Sequence, residues 1–239
     1  MLIDLDDTVI SAYSNPGAVW LEVVTEFRTD IADLGPEAVT AEILAFSEAF
    51  WADPHHHRIW RQQLGEARRA VVRGAFDLIA NRGGRALSSD LSNEMADRFT
   101  RYREERTHLF PGAIEAIDHF RDAGVLLGLI TNGAGPIQRP KIERFGLESR
   151  FHHIQIEGEQ GFGKPEERAY RHALQTLGVG PADAWMVGDN LEWEVAAPQR
   201  LGIYSVWHDH AGAGLPEGSA VKPDRIIRAL SELVPLKAG

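Results

Sequence analysis

No cysteine occurs among the 239 residues, which excludes a disulfide framework, a thiolate metal site and a cysteine nucleophile together. Long apolar runs are also missing. The longest obvious one, residues 125–130, falls far short of the ~20 residues of a membrane-spanning helix. The N-terminal stretch Met1-Leu-Ile-Asp-Leu-Asp-Asp7 carries carboxylates where a secretion signal carries basic residues. The expectation is therefore a cytoplasmic protein with no membrane association. Positive charge is in deficit, with 25 Lys and Arg against 35 Asp and Glu and a formal net charge of -10. Nonspecific nucleic-acid binding needs cationic surface to displace phosphate counterions, so no nucleic-acid partner is expected. Internal repeats and low-complexity segments are absent, which argues against a solenoid.

The residues present suit a globular fold: 44% are hydrophobic and 25% charged, enough to bury a core in one large domain or two modest ones. The charge is uneven. Residues 1–54 carry a net -10, residues 55–106 a net +4 from 11 Arg, and residues 107–239 a net -4. The middle segment offers Arg58, Arg61, Arg68, Arg69 and Arg73 to an anionic small molecule, or simply to a solvated helix face, and nothing singles one out.

The pattern changes texture along the chain. From about residue 16 to 106 it is helical. Val19, Trp20, Val23, Val24, Phe27 and Ile31 form one stripe after Pro16. Val39, Ile43, Phe46 and Phe50 form a second after Pro36, and Leu64, Val71, Ala75 and Leu78 a third. Leu91, Met95, Phe99 and Tyr102 form a fourth, with Ser88 or Ser89 as its cap. Three consecutive histidines, His55–His57, diverge by ~100° each on a helix and make a poor chelate, so they read as surface or helix-start residues. Trp20, Trp51 and Trp60 at helical spacing read as core rather than as an aromatic substrate platform.

Beyond about residue 107, short apolar runs at 125–130, 153–156, 184–187 and 203–207 alternate with helical segments at 112–123, 137–145, 165–177 and 192–201, and residues 1–5 supply one more run. Apolar runs without clean alternation suit strands covered on both faces, and the strand–helix rhythm implies a parallel sheet with right-handed crossovers. The expected fold is α/β: a Rossmann-like parallel sheet with helices on both faces, assembled from residues 1–12 and 107–239, plus an inserted helical domain over 13–106.

Ligands of such sheets bind beyond the carboxyl ends of the strands. The segments at those ends form a chemically coherent set: Asp4-Leu-Asp-Asp-Thr8; Thr131-Asn-Gly133; Gly163-Lys164-Pro165; and Gly188-Asp189-Asn190 with Glu192 and Glu194 behind. Crowded carboxylates repel unless a cation neutralises them, and with no Cys or His among them Mg²⁺ fits best. A carboxylate held there can attack phosphorus, Asp6 can protonate a leaving oxygen, and Thr131, Lys164 and the backbone N–H groups of Asn132 and Gly133 can bind phosphoryl oxygens. Read alone, Asp-x-Asp-x-Thr fits a turn with Asp7 capping a helix equally well. Asp7 is assigned a local hydrogen-bonding role, and Asn190 and Glu192 structural ones.

These four segments, in this order, closely resemble the haloacid dehalogenase-like hydrolase superfamily. The resemblance covers the first dozen residues and all of 107–239, with Gln138, Lys141 and Phe145-Gly-Leu147 as supporting context, and the helical insert resembles the family's C1-type cap. The resemblance implies Asp4 as nucleophile and Asp6 as general acid/base, with the Asp4 side chain, the Asp6 carbonyl and Asp189 as Mg²⁺ ligands. Dehalogenases of the superfamily lack the second acid that Asp6 supplies, so the implied activity is a Mg²⁺-dependent phosphatase of a small phosphorylated metabolite. A sugar phosphomutase, a 2-haloacid dehalogenase and a non-catalytic binding protein are the alternatives. Two departures stand out. Glu194 replaces the usual second Asp of the fourth motif and is expected to orient a metal-bound water or Lys164, and only three residues precede Asp4. Pro140 predicts a kinked or delayed helix after the second motif.

Overall fold

The computed structural model describes residues 1–12, 15–31 and 34–235. In chain order its strands are β1 (Leu2–Ile3), β2 (Ile10–Ser11), β3 (His108–Leu109), β4 (Gly128–Thr131), β5 (His153–Ile156), β6 (Trp185–Gly188), β7 (Tyr204–His208) and β8 (Arg225–Ile227). Six of them form one parallel sheet in the order β5-β4-β1-β6-β7-β8. The path runs outward from β4 to β5 on one side of β1 and from β6 to β8 on the other. Right-handed crossovers in opposite directions place the connecting helices on opposite faces of the sheet, which gives the expected Rossmann-like architecture.

The central strand is only two residues long, yet its ladder reaches further. Met1 accepts a backbone bond from Gly128 at 2.9 Å, and Asp4 donates one to Val187 at 3.0 Å. Packing against this sheet, Leu2, Ile130, Tyr170, Ala173, Leu174, Ala184, Met186, Ala197 and Ile203 form a buried cluster.

The chain separates into two units, Met1–Ser11 with His108–Gly239 and Ala12–Thr107. The second unit is helical, with Pro16–Glu26, Pro36–Ala52, Leu64–Asn81 and Ser89–Arg106 as its long helices. Most of their apolar stripe residues meet in one core, where Trp20 stacks on Phe99 at 3.8 Å, but Leu78 of the third stripe is exposed and Leu64 lies outside that core. Ser88 caps the last helix by accepting from the Leu91 N–H. The three histidines open the short helix Pro54–Trp60, where the Asp53 carboxylate accepts from the backbone N–H groups of His55 and His56. Arg69 makes a two-point contact with Asp97 at 2.8 and 2.7 Å, and Arg68 and Arg73 donate to Thr100 and Asn93. Those three arginines tie the helical unit together internally. Among the described residues, no helix is long and apolar enough to cross a membrane.

Several boundaries differ from expectation. The helix carrying Pro140 is not delayed: it starts at Gly135, with a second proline, Pro136, in its first turn, where a missing N–H costs nothing. The helix expected over 192–201 is instead a wide π-type turn, Leu191–Ala196, followed by Ala197–Gln199. Strands β2, β3 and β8 lie outside the expected runs. The first two form an antiparallel pair with Ile10 opposite Leu109 and Ser11 opposite His108.

Candidate active site

Asp4 follows β1, Thr131 ends β4, Glu157 follows β5 and Asp189 follows β6, so each stands at the carboxyl end of its strand, where a parallel sheet presents its ligand-binding edge. Asp4 is 6% exposed. Its Oδ2 accepts from the Thr8 hydroxyl at 3.2 Å and its Oδ1 from the Lys164 ammonium. Lys164, 1% exposed, also lies 2.7 Å from Glu194 Oε1, an ion pair by distance whose angle falls outside a hydrogen bond. The other Glu194 oxygen accepts from the Asn190 N–H at 2.8 Å.

The electrostatics reflect that crowding. Burial holds the Asp4 carboxyl above its ordinary value, opposed by Lys164. Burial pushes Glu194 up to about 7, again against the pull of Lys164. Asp189 is pushed up to about 9, first by burial and then by the charges of Glu194 and Asp4. Lys164 would be lowered by its own burial, but the charges of Asp4 and Glu194 outweigh that and hold the ammonium above its ordinary value. One ammonium thus serves a set of acids that together bind protons well above the usual carboxylate range.

Such a donor set suits a hard cation. Among the described residues, no group of three or more His, Cys, Asp or Glu side chains forms a ready-made metal cage. Two carboxylates and a carbonyl do not make one, but Mg²⁺ characteristically keeps several waters and takes only one or two protein carboxylates. The residues present fit it.

A second network surrounds Asp6. Its carboxylate accepts from Lys141 Nζ at 2.7 and 3.0 Å and from Gln138 Nε2 at 2.8 Å. Asp7, next along, takes a left-handed conformation at φ 58°, and its carbonyl faces His208 Nδ1 at 2.9 Å. The two carboxylates have different partners, Asp4 being buried on Lys164 and Asp6 held by Lys141.

The segment after β4 is tied down more heavily than its sequence suggests. Asn132 clamps the backbone of Lys164, its Oδ1 accepting from the Lys164 N–H at 2.9 Å and its Nδ2 donating to the Lys164 carbonyl at 2.7 Å. The Gly133 N–H, expected to face a phosphoryl oxygen, donates to the Glu157 carboxylate at 3.0 Å, and the Gly133 carbonyl accepts from Gly158. A Cβ on Gly163 would stand 2.6 Å from Asn132 Oδ1 and 2.7 Å from Glu157 Cγ, so glycine is required for this clamp to close. Glycine is needed at 188 as well, where a Cβ would meet Glu194 Cγ at 2.0 Å. The longer Glu194 side chain is accommodated by lying over that bare backbone, and it reaches Lys164 as expected.

The structure therefore brings Asp4, Lys164, Glu194 and Asp189 into one charged cluster, and Asp6 and Thr131 into a neighbouring one through Gln138. Sequence reasoning missed Glu157 altogether. The only available signal was a carboxylate directly after a strand.

A family model described as haloacid dehalogenase-like hydrolase matches residues 1–202. Among relatives, the phosphoserine phosphatase of Thermus thermophilus is 36% identical over 77% of this chain and 66% of its own length. The N-acylneuraminate-9-phosphatase of Rattus norvegicus is 37% identical over 46% of this chain and 44% of its own. The chain thus spans about two thirds of the first relative and under half of the second. Among solved structures, the hydrolase YfnB of Bacillus subtilis, described with bound magnesium, is similar with a TM-score of 0.68 at 21% identity, covering 97% of this chain and 95% of that one. A 2-haloacid dehalogenase of Pseudomonas syringae is similar with a TM-score of 0.61 at 21% identity, covering 97% and 94%. At such identities these structures speak for the fold alone. The family model over most of the chain, together with the four strand-end segments, establishes that this protein belongs to the haloacid dehalogenase-like hydrolases.

Proposed function

We propose that this chain is a Mg²⁺-dependent phosphatase of small phosphomonoesters, with the cytoplasm as its expected compartment, working through a phosphorylated Asp4. The observation that carries the reading is the contrast between two carboxylates two residues apart. Asp4 is buried against Lys164 and Thr8, while Asp6 is held by Lys141 and Gln138. Placing two acids in different settings is how one site keeps a nucleophile and a proton carrier distinct. The phosphatase names of the relatives support the same reading.

In the first half-reaction a carboxylate oxygen of Asp4 bonds to phosphorus, the bond from phosphorus to the leaving oxygen breaks, and Asp6 gives that oxygen its proton. In the second, water attacks the phosphorus of the acyl phosphate and Asp6 takes the water's proton. The Asp4–phosphorus link then breaks, releasing inorganic phosphate and restoring Asp4. Lys164 and the Thr131 hydroxyl donate to the phosphoryl oxygens as charge builds on them. The Asp4 and Asp189 carboxylates and the Asp6 carbonyl would hold Mg²⁺, which would supply positive charge to offset the crowded acids and the phosphoryl group. Asn132 keeps the Lys164 backbone in place, and Glu194 keeps its ammonium aimed at Asp4.

The test is release of phosphate from p-nitrophenyl phosphate with Mg²⁺, then from a panel including phosphoserine, N-acylneuraminate 9-phosphate and glyceraldehyde 3-phosphate, the substrates in the relatives' names. Asp4→Asn should abolish turnover, and undiminished turnover would refute the nucleophile. Isomerised sugar phosphate without free phosphate would replace the phosphatase with a phosphomutase.

A further inference from the structure

The helix Gly135–Arg144 presents Gln138 and Lys141, three residues apart and so on one face, to an acid from the opposite end of the sequence. Lys141 Nζ contacts both oxygens of Asp6, at 2.7 and 3.0 Å. Gln138, 2% exposed, directs a single amide nitrogen at three acceptors: Asp6 Oδ2 at 2.8 Å, Thr131 Oγ1 at 2.6 Å and the Asn132 carbonyl at 3.0 Å. A flipped amide would aim its oxygen at the carboxylate, so the acceptors themselves fix its orientation.

The chemistry is affected in two ways. The Asp6 carboxylate receives donors from two side chains at different angles, which removes its freedom to rotate about its last bond. The Thr131 oxygen accepts from Gln138 at 2.6 Å, while its hydroxyl hydrogen makes only a long contact with the Asn132 carbonyl, at 3.4 Å. One glutamine thereby links the proton carrier to a phosphoryl-binding hydroxyl. Neither Gln138 nor Lys141 has a part in the steps described above.

We propose that Gln138 and Lys141 are positioning residues for proton delivery, holding the Asp6 carboxyl in the orientation that serves the leaving oxygen. The proposal rests on the reading of Asp6 as the proton carrier. Its alternative is purely structural: the pair would pin the helix Gly135–Arg144 to the chain beyond β1 and affect all substrates alike.

Leaving-group dependence separates the two. The quantity kcat/KM reports only as far as phosphoryl transfer to Asp4 when that step is irreversible. A weakly basic leaving group such as p-nitrophenolate needs little proton assistance, whereas phenolate and alkoxides need it fully. Well-placed acid catalysis is worth about 10²–10⁴-fold, so loss of its positioning should cost about tenfold or more on phenyl and ethyl phosphate. Lys141→Met and Gln138→Leu should show that loss while staying within about threefold of wild type on p-nitrophenyl phosphate. The ratio between substrates is taken within one preparation, so any unfolded fraction cancels. Lys141→Arg should keep most of the wild-type ratio, and Gln138→Asn, whose amide is one methylene short of Asp6, provides the same loss comparison should the larger changes yield no active protein.

Equal slowing on all substrates would overturn the proposal and leave the phosphatase reading intact. A wild-type chain inactive on every phosphoester would overturn both.

Discussion

Withholding divalent metal and raising the pH should destabilise the folded chain. Glu194 keeps its proton up to about pH 7 in the folded protein, against an ordinary value of 4.5, because burial disfavours its charge. Between those two values the folded chain binds a proton that the unfolded chain has released. Stability therefore falls as pH rises through the window, and the loss is complete above the folded value. At 1.36 kcal/mol per unit, Glu194 alone accounts for about 3 kcal/mol. Asp189, raised to about 9 from 3.8, acts with the same sign and extends the window upward. For a chain of this size about 3 kcal/mol corresponds to roughly 6–12 °C in melting temperature. Melting measured by circular dichroism in EDTA at low ionic strength should drop by at least that amount between pH 5 and 8, Asp189 adding to the share of Glu194. Millimolar Mg²⁺ should remove most of the drop, because the ion takes over the neutralisation that protons otherwise provide. Glu194→Gln should lessen the slope of the EDTA curve as well, leaving the share of Asp189. A melting temperature level from pH 5 to 8 without metal, or an identical slope with and without Mg²⁺, would refute the argument that these acids need a second cation.

Other perturbations have equally definite outcomes. Gly188→Ala drives a methyl into the space of Glu194 Cγ, 2.0 Å away, and should cost about 1–3 kcal/mol in urea unfolding together with most of the turnover. Asn132→Leu removes both bonds to the Lys164 backbone. At about 1–3 kcal/mol for stranded buried partners, kcat should fall roughly 5- to 150-fold while the melting temperature moves by a few degrees. Trp20→Ala empties the stack on Phe99 in the helical unit and should cost about 3–5 kcal/mol of stability, seen by chemical denaturation.

The parts of the site legible in the sequence were those with a local address. Asp4, Thr131 and Asp189 each stand directly at the end of an apolar run, so the strand-end rule found them without knowledge of the pairing. Lys164 was found through its Gly and Pro neighbours and the resemblance. The contacts that organise these residues were hidden because they join distant segments: Lys141 reaches Asp6 across 135 residues and Asn132 reaches Lys164 across 32. Periodicity reports which face a residue lies on, and says nothing about which remote group that face meets. Strands β2 and β3 were invisible for another reason: two residues cannot show an alternation, and their pairing exists only because both ends of the insert return to one place. The π-type turn over Leu191–Ala196 looked helical because its polar and apolar residues also satisfy helical spacing.

That return has an evolutionary corollary. Because Ser11 and His108 are cross-strand partners, the chain departs from the α/β unit and re-enters it at adjoining positions, as it would for an ordinary hairpin loop. Whatever is spliced between them leaves the register of the parent sheet undisturbed, provided its two ends can meet within about 5 Å. The joint is in effect a cloning site built into the fold, and chimaeras that exchange everything between those partners should keep the strand ladder intact.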